Sequence, residues 1–145
     1  MSFVRHVGIT VSNLENSLEF YRDYLGFTVE KQMLESGECI DNFSALTGVE
    51  VTTVKMSGTL PGAMIELLYY HSHEDNSPQN VAYPITRIGC SHFALTVKDL
   101  DSLYECLTHV GVHFNHPVQT SPDGNVKIAF CRDPDGNLIE LVQDL

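Results

Sequence analysis

Four residues that can bind a metal ion recur at matching places in the two halves of this chain. Each half has a histidine that opens a predicted strand, His6 in His-Val-Gly-Ile-Thr-Val and His92 in His-Phe-Ala-Leu-Thr-Val. Each half also has an apolar strand interrupted by one glutamate, Glu66 in Met-Ile-Glu-Leu-Leu and Glu140 in Leu-Ile-Glu-Leu-Val. Two histidines and two carboxylates at equivalent places are expected of a metal site built by pairing two copies of one module.

Strand alternation supports this interpretation. In the first strand Val7 and Ile9 share the face expected to pack on a helix, which leaves His6 on the other face. Glu66, His92 and Glu140 likewise lie on the face opposite the apolar residues that alternate with them in their strands. A carboxylate among Ile, Leu and Met is costly to bury unless a cation or a donor meets it. A divalent ion would do so. Two imidazoles and two carboxylates suit Zn, Ni, Co, Mn or Fe(II) better than Ca or Mg.

Each candidate also has a simpler explanation. A single strand histidine such as His6 is usually a hydrogen-bonded structural residue, and Glu66 by itself could be a charge that protects an edge strand. The segment 71–75 is also rich in metal-binding types, but its polarity favours a solvated loop or lid. Nothing beside Cys131 in the sequence would lower its pKa, so it is not predicted to be a nucleophile. The metal hypothesis therefore depends on the four residues together.

The order of predicted elements is β-α-β-β-β, repeated once. The first copy has strands at 3–11, 27–34, 49–56 and 63–70, a helix that starts at a capping box on Ser12 and ends at Gly26, and an irregular or briefly helical stretch at 40–48. The second has strands at 89–97, 113–118, 126–132 and 137–143, a helix ending at Gly111 and a turn at 133–136. We predict an α+β fold, one domain over 1–145 with modules 1–83 and 88–145, in which two tandem βαβββ modules form a curved mixed sheet around a metal cavity.

Composition excludes several classes of partner. The chain has 8 Lys and Arg against 19 Asp and Glu, a formal net charge of -11, which argues against nucleic acid and against an anionic membrane surface. The four cysteines have no metal or disulfide spacing, and no targeting or membrane segment is recognised, so we expect a cytoplasmic protein. A homodimer is expected because two short modules leave sheet edges to cover. The expected partner is a small-molecule substrate.

With these residues in view, the sequence resembles the vicinal oxygen chelate superfamily, which pairs two βαβββ modules around a metal. The resemblance covers the chain from Phe3 to Leu145. It is carried by His6, His92, the helix segment 14–27, Ile-Glu-Leu at 65–67 and Asp-Pro-Asp-Gly-Asn-Leu-Ile-Glu-Leu at 133–141.

Within that superfamily, a His, Glu, His, Glu set is similar to glyoxalase I. The resemblance implies a metal-dependent lyase or isomerase of the lactoylglutathione lyase type, which moves a proton next to a carbonyl through a metal-chelated enediolate. It implies Glu140 as the base and Glu66 as the second acid/base, both also metal ligands with His6 and His92. The Arg and Asn that bacterial glyoxalase I uses for glutathione are replaced by Thr10 and Tyr70, which argues against a glutathione adduct.

The sequence is also compatible with three alternative functions. An epimerase similar to methylmalonyl-CoA epimerase would use the same enolate chemistry but would need a basic rim, for which the candidates are few: Lys55, Lys98, Lys127 and Arg132. An extradiol dioxygenase would need only His6, His92 and Glu140 as ligands. A ligand-sequestering protein of the bleomycin-resistance kind would need no metal ligands.

Overall fold

A computed structural model describes residues 2–77 and 83–145 of the chain. The chain divides into two compact units, Met1–Ser77 and Pro78–Leu145. Each unit contains one four-stranded mixed sheet, with several helical segments in the first unit and, among the described residues, one helix in the second. The predicted α+β class and the repeated module are confirmed.

The first module contains every predicted element. Its sheet has the order β1-β4-β3-β2, in which β1 runs parallel to β4 and the other neighbours are antiparallel. The elements are β1 (His6–Thr10), α1 (Leu14–Leu18), β2 (Thr28–Ser36), α2 (Glu38–Ser44), β3 (Glu50–Ser57) and β4 (Met64–Tyr70). α2 lies between β2 and β3, where the sequence predicted an irregular or briefly helical stretch at 40–48.

The first helix differs from its prediction at both ends. Its N-cap is Asn13 and not Ser12, because the Asn13 side chain accepts a hydrogen bond from the Asn16 amide while its own backbone is extended. After Leu18 the chain continues as a π-helical segment, Glu19–Tyr24, in which the Leu25 amide donates to the Phe20 carbonyl five residues earlier.

Alternation in the two parallel strands separates a core face from a polar face. Ile9, Ile65 and Leu67 are buried, whereas His6 and Thr10 are exposed. α1 lies against β4 and contributes Leu18 to the core. Burying a side chain of this size stabilises the fold by about 1.5–3 kcal/mol. This burial fixes which face of the sheet carries the polar residues.

The second module repeats this architecture. Its sheet has the order β5-β8-β7-β6, with β5 parallel to β8, and its elements are β5 (His92–Thr96), α3 (Leu100–His109), β6 (Gln119–Thr120), β7 (Val126–Arg132) and β8 (Leu138–Asp144). α3 is capped by Asp99 and buries Leu100 and Leu107 against β7 and β8. In the described residues no helix is long and apolar enough to cross a membrane.

One predicted strand is displaced. Residues 113–118 form only an isolated bridge between Phe114 and Cys131, and the regular strand β6 begins at Gln119. Pro117 has no amide to donate to a sheet. Its carbonyl instead meets the His116 ring nitrogen and the Gln119 side-chain amide, so local polar groups satisfy this part of the backbone.

The predicted turn at 133–136 is present and has an anchor. The buried Asp133 carboxylate accepts hydrogen bonds from the backbone amides of Asp135 and Asn137 and from the Asn137 side chain. Gly136 takes the left-handed conformation, with φ 86°. This turn sets the register of β7 on β8 and hence the position of Glu140.

Candidate functional site

Strand register brings His6 and Glu66 together in the first module. Gly8 is the partner of Glu66 across the parallel pair β1–β4, and His6 lies two residues earlier on the same face. His6 Nε2 lies 3.1 Å from Glu66 Oε2. The Glu66 side chain is only 12% exposed, whereas His6 is 39% exposed. The pair therefore lies at the surface of this module with its carboxylate set into the sheet.

A lysine completes this arrangement. Lys55 on β3 is the direct cross-strand partner of Glu66, and its Nζ lies 3.6 Å from Glu66 Oε1. The two oxygens of Glu66 thus have different neighbours, an imidazole and an ammonium. The sequence by itself predicts Lys55 only as one of a few possible rim cations. Its position beside Glu66 follows from the register of β3 on β4, which no local pattern indicates.

The second module holds the equivalent pair. Glu140 faces Ala94 across β5–β8, as Glu66 faces Gly8, and His92 lies two residues before Ala94. His92 Nε2 lies 3.3 Å from Glu140 Oε2. The Ser91 hydroxyl lies 2.9 Å from His92 Nδ1. That contact orients the ring, so Nε2 is the nitrogen that meets the carboxylate.

The residue opposite Glu140 is aromatic. Phe130 on β7 occupies the register position that Lys55 has in the first module. Its ring meets the His92 ring edge-on, with centroids 5.4 Å apart. The second pair therefore has an apolar neighbour where the first has a cation, a difference that no local sequence pattern predicts.

The two contact distances fit a shared ion. Two ligand atoms that each lie about 2.1 Å from one ion are about 3.0 Å apart at an octahedral angle and about 3.4 Å apart at a tetrahedral angle. The observed N–O distances of 3.1 and 3.3 Å agree with that spacing. Imidazole nitrogen with carboxylate oxygen is also a donor set that first-row divalent metals accept. Each pair could therefore supply two ligands without rearrangement.

The structure thus brings the four predicted ligands together as two pairs, one in each module. In residues 2–77 and 83–145 no group of three or more His, Cys, Asp or Glu side chains is arranged to hold a metal ion. The single centre with four ligands stays a prediction.

The other candidates have structural roles. His71 Nε2 lies 2.8 Å from the Thr52 hydroxyl, and residues 71–75 lie outside the strands and are mostly exposed. Cys131 is fully buried. Burial, with the charge of Asp133, raises the pKa of the Cys131 thiol to about 12. A thiol with that pKa is not a nucleophile near neutral pH. The four cysteines are free, and the other three are exposed.

Comparison with known proteins identifies the family. A model of the Glyoxalase/Bleomycin resistance protein/Dioxygenase superfamily matches residues 4–141, and the chain belongs to that superfamily. A probable lactoylglutathione lyase of Synechocystis sp. is 30% identical over 142 residues, which cover 97% of this chain and 95% of the relative. The lactoylglutathione lyase of Schizosaccharomyces pombe is 28% identical over 96% of this chain, which spans only 46% of that relative.

A solved structure agrees with the fold. A glyoxalase family protein from Bacillus cereus superposes with a TM-score of 0.90 at 22% identity, covering 100% of this chain and 95% of that one. At this identity the likeness shows the fold alone. The superfamily's description includes two kinds of enzyme and a resistance protein. Membership of the superfamily therefore does not choose among these activities, which depend on the residues of the site.

Proposed function

We propose that this protein is a metal-dependent lyase or isomerase of the glyoxalase type, which moves a proton on a carbon next to a carbonyl. The observation that carries the proposal is the pair of His–Glu contacts at ligand spacing, repeated at equivalent register positions. A single such pair is an ordinary hydrogen-bonded contact. The same pair in both modules of a superfamily whose members typically use a divalent metal supports a ligand set.

In this proposal the two pairs combine into one centre held by His6, Glu66, His92 and Glu140. The modules that combine belong either to one chain or to two chains of a homodimer. A divalent ion bound there would supply Lewis-acid stabilisation of the negative charge that develops on the carbonyl oxygen as the proton leaves. The residues of the chain then have to hold the substrate, exclude water and move the proton.

Glu140 is the better candidate for the base. In the described residues Glu66 contacts both His6 and Lys55, so both of its oxygens have partners. Glu140 contacts His92 through Oε2, and its cross-strand neighbour Phe130 offers no hydrogen bond. A carboxylate that must leave one partner to take a proton needs fewer competing contacts. We therefore propose Glu140 as the residue that removes and returns the proton, with Glu66 as the second acid/base.

An epimerase acting on an acyl-CoA thioester is the second candidate. The observation that favours it is Lys55, whose ammonium lies on the polar face of the first sheet beside Glu66 and could meet an anionic group. Melting-point shifts of the metal-loaded protein with 2-oxoaldehyde thiol adducts and with acyl-CoA thioesters would separate the two candidates.

Because the four thiols are free, the cytoplasm remains the proposed location.

Metal analysis tests the proposal directly. We expect one divalent ion for each set of two histidines and two glutamates, and much weaker binding in both His6→Gln and His92→Gln. His109→Gln, at the exposed end of α3, is the matched control and should leave metal content unchanged. Unchanged metal in both site variants would refute the centre. Ligand binding by a protein that takes up no metal would favour sequestration instead.

A further inference from the structure

A cavity of about 300 Å³ lies within the second compact unit, Pro78–Leu145, beside the end of β7 and the start of β8. This volume is at the lower end of the range for small-molecule sites. The segment that precedes β5 forms one wall, and the residues around the 133–136 turn form the other. The lining residues on which the argument depends are Tyr83, Arg87, Ser91, Arg132, Asn137 and Leu138.

The charge of this cavity contrasts with that of the chain. The protein has 8 Lys and Arg against 19 Asp and Glu, yet two of the eight, Arg87 and Arg132, line this one cavity. None of its described lining residues is Asp or Glu. Across residues 2–77 and 83–145 neither arginine forms an ion pair, whereas Arg22, Lys55 and Lys127 each contact a carboxylate. The cavity is therefore a cationic site on an acidic protein.

Both guanidinium groups are held in place by neutral partners. Arg132 donates from Nη1 to the Gly136 carbonyl at 2.8 Å and from Nη2 to the Tyr83 carbonyl at 3.1 Å. Arg87 stacks on the Tyr83 ring, with its Cζ 3.8 Å from the ring centroid. Stacking uses the face of the guanidinium and leaves the N–H groups at its edge for other acceptors. Tyr83 thus holds Arg132 through its carbonyl and Arg87 through its ring, and neither contact neutralises the charge of the guanidinium.

We propose that this cavity binds an oxyanion, a carboxylate or a phosphate, through Arg87 and Arg132. A guanidinium fork matches both groups in two-point contacts. Because both arginines are already positioned, a ligand would not have to order these long side chains. The acidic residues elsewhere on the protein would repel the same anion, so the anion would bind at this cavity in preference to the rest of the surface.

The position of the cavity connects it to the His92–Glu140 pair. Ser91 lines the cavity and its hydroxyl contacts His92 Nδ1 at 2.9 Å. Leu138, another lining residue, is the register partner of His92, and Arg132 is the partner of Leu138 in turn. On the proposed function, on which this step depends, the anion is an acidic tail of the substrate, and its reacting carbon lies towards Glu140. The substrate class is then a carbonyl compound bearing a carboxylate or phosphate.

Amide NMR titrations of the 145-residue chain test the cavity. The probes are N-acetylglycine, its neutral amide N-acetylglycinamide, and inorganic phosphate. We expect the carboxylate or the phosphate to shift the amides of Gly89, Ser91 and Asn137 in a saturable way, and the neutral amide to leave them in place. Arg87→Gln should weaken binding about tenfold, as expected for losing a charge-assisted contact. Arg87→Lys should weaken it less, since the charge is kept.

Arg22→Gln is the matched control, because it makes the same change at an exposed arginine of the first module that pairs with Asp23. It should bind the anions as the unmodified chain does. Equal binding of N-acetylglycine and its amide, or unchanged binding in Arg87→Gln, would overturn the proposal. The stronger of the two anions identifies the source as a carboxylate or a phosphate.

A repeat of the titration after EDTA treatment and dialysis separates this inference from the proposed function. Anion binding that survives metal removal supports the cavity even if the protein proves to have no metal centre. Loss of binding after metal removal would place the anion on the metal and overturn the cavity.

Discussion

The two modules share the His–Glu pair but differ in the residue that faces its glutamate. In the first module Lys55 lies across from Glu66, and in the second Phe130 lies across from Glu140. The pair itself is preserved to within 0.2 Å, at 3.1 and 3.3 Å. Duplication of one module therefore retained the contact while the neighbours of the glutamates diverged. Two carboxylates in different surroundings can take different roles in one reaction.

The supporting helices diverged as well. The first is a short α-helix that continues as a π-helical segment, whereas α3 is a regular helix of 10 residues. Both begin at a side-chain cap, an amide at Asn13 and a carboxylate at Asp99. Helices of different length and type therefore support equivalent His–Glu pairs in the two modules. Substitutions at the positions where the modules differ test what each difference does.

Substitution of the two glutamates should have the largest effect on activity. Glu140→Gln should lower kcat by about 10²–10⁴-fold, because it removes the proposed base while keeping the side-chain shape. Glu66→Gln should lower it less. Much of the metal binding should survive in both, since the amide oxygen of Gln takes the same place as the carboxylate oxygen that it replaces and can still act as a ligand. Steady-state kinetics, with the substrate that the melting-point screen identifies, measures which of the two variants loses more kcat.

Glu105→Gln on the exposed face of α3 is the control for this pair and should have normal activity. A larger loss in Glu66→Gln than in Glu140→Gln would reverse the proposed roles. Full activity in both variants would remove the glutamates from the mechanism.

A smaller effect is expected from the cation in the first module. Lys55→Met should increase metal affinity up to about fivefold, because the ammonium repels a divalent ion and competes for Glu66. The increase is modest since Lys55 is 37% exposed and solvent screens its charge. Competition with a chelator measures the affinity. Lys127→Met, which breaks the Lys127–Asp101 pair, should leave affinity unchanged, and weaker metal binding in Lys55→Met would contradict the prediction.

The two helix caps should respond differently to acid. Hydrogen bonds from the Ser102 hydroxyl and amide lower the pKa of the Asp99 carboxyl. Since its folded pKa is below the unfolded value, Asp99 stabilises the fold above about pH 4, and that contribution is lost as pH falls through the folded pKa. Asn13 does not titrate. The stability gap between the unmodified chain and Asp99→Asn should therefore close on acidification.

Urea unfolding between pH 7 and pH 3 measures this gap. Asn13→Asp is the reciprocal variant and should introduce a pH dependence of the same sign into the first module. If the difference in unfolding free energy between the unmodified chain and Asp99→Asn widened as pH fell, the Asp99 cap would not be the source of the pH dependence.

The smallest expected effect is in the first helix. The Ser17 side chain is buried, and its hydroxyl has no hydrogen-bond partner among the described residues, whereas the equivalent position of α3 is Leu103. Ser17→Ala should stabilise the protein by up to about 1 kcal/mol, because it removes an unsatisfied polar group and favours the helix. Ser102→Ala is the control and should be destabilising, since that hydroxyl donates to Asp99. A loss of stability in Ser17→Ala would contradict the prediction.

Local patterns predicted most of the fold. Alternation in β1, β4, β5 and β8 predicted the faces on which the four site residues lie, because side chains on a strand alternate whatever the strand pairs with. The turn at 133–136 was predicted from Pro and Gly, whose backbone preferences are local. Where the prediction was wrong, at the strand 113–118 and the cap on Ser12, a neighbouring polar side chain satisfied the backbone in another way.

The amino-acid sequence by itself determined the repeated module, the polar face of each strand and the four residues that could bind a metal, because these depend on spacing along one segment. Only the tertiary structure decided which residues face the glutamates and that two arginines share a cavity around Tyr83. Those neighbours are distant in sequence and meet through strand register and chain packing. Register is a property of two segments at once, so no single segment encodes it.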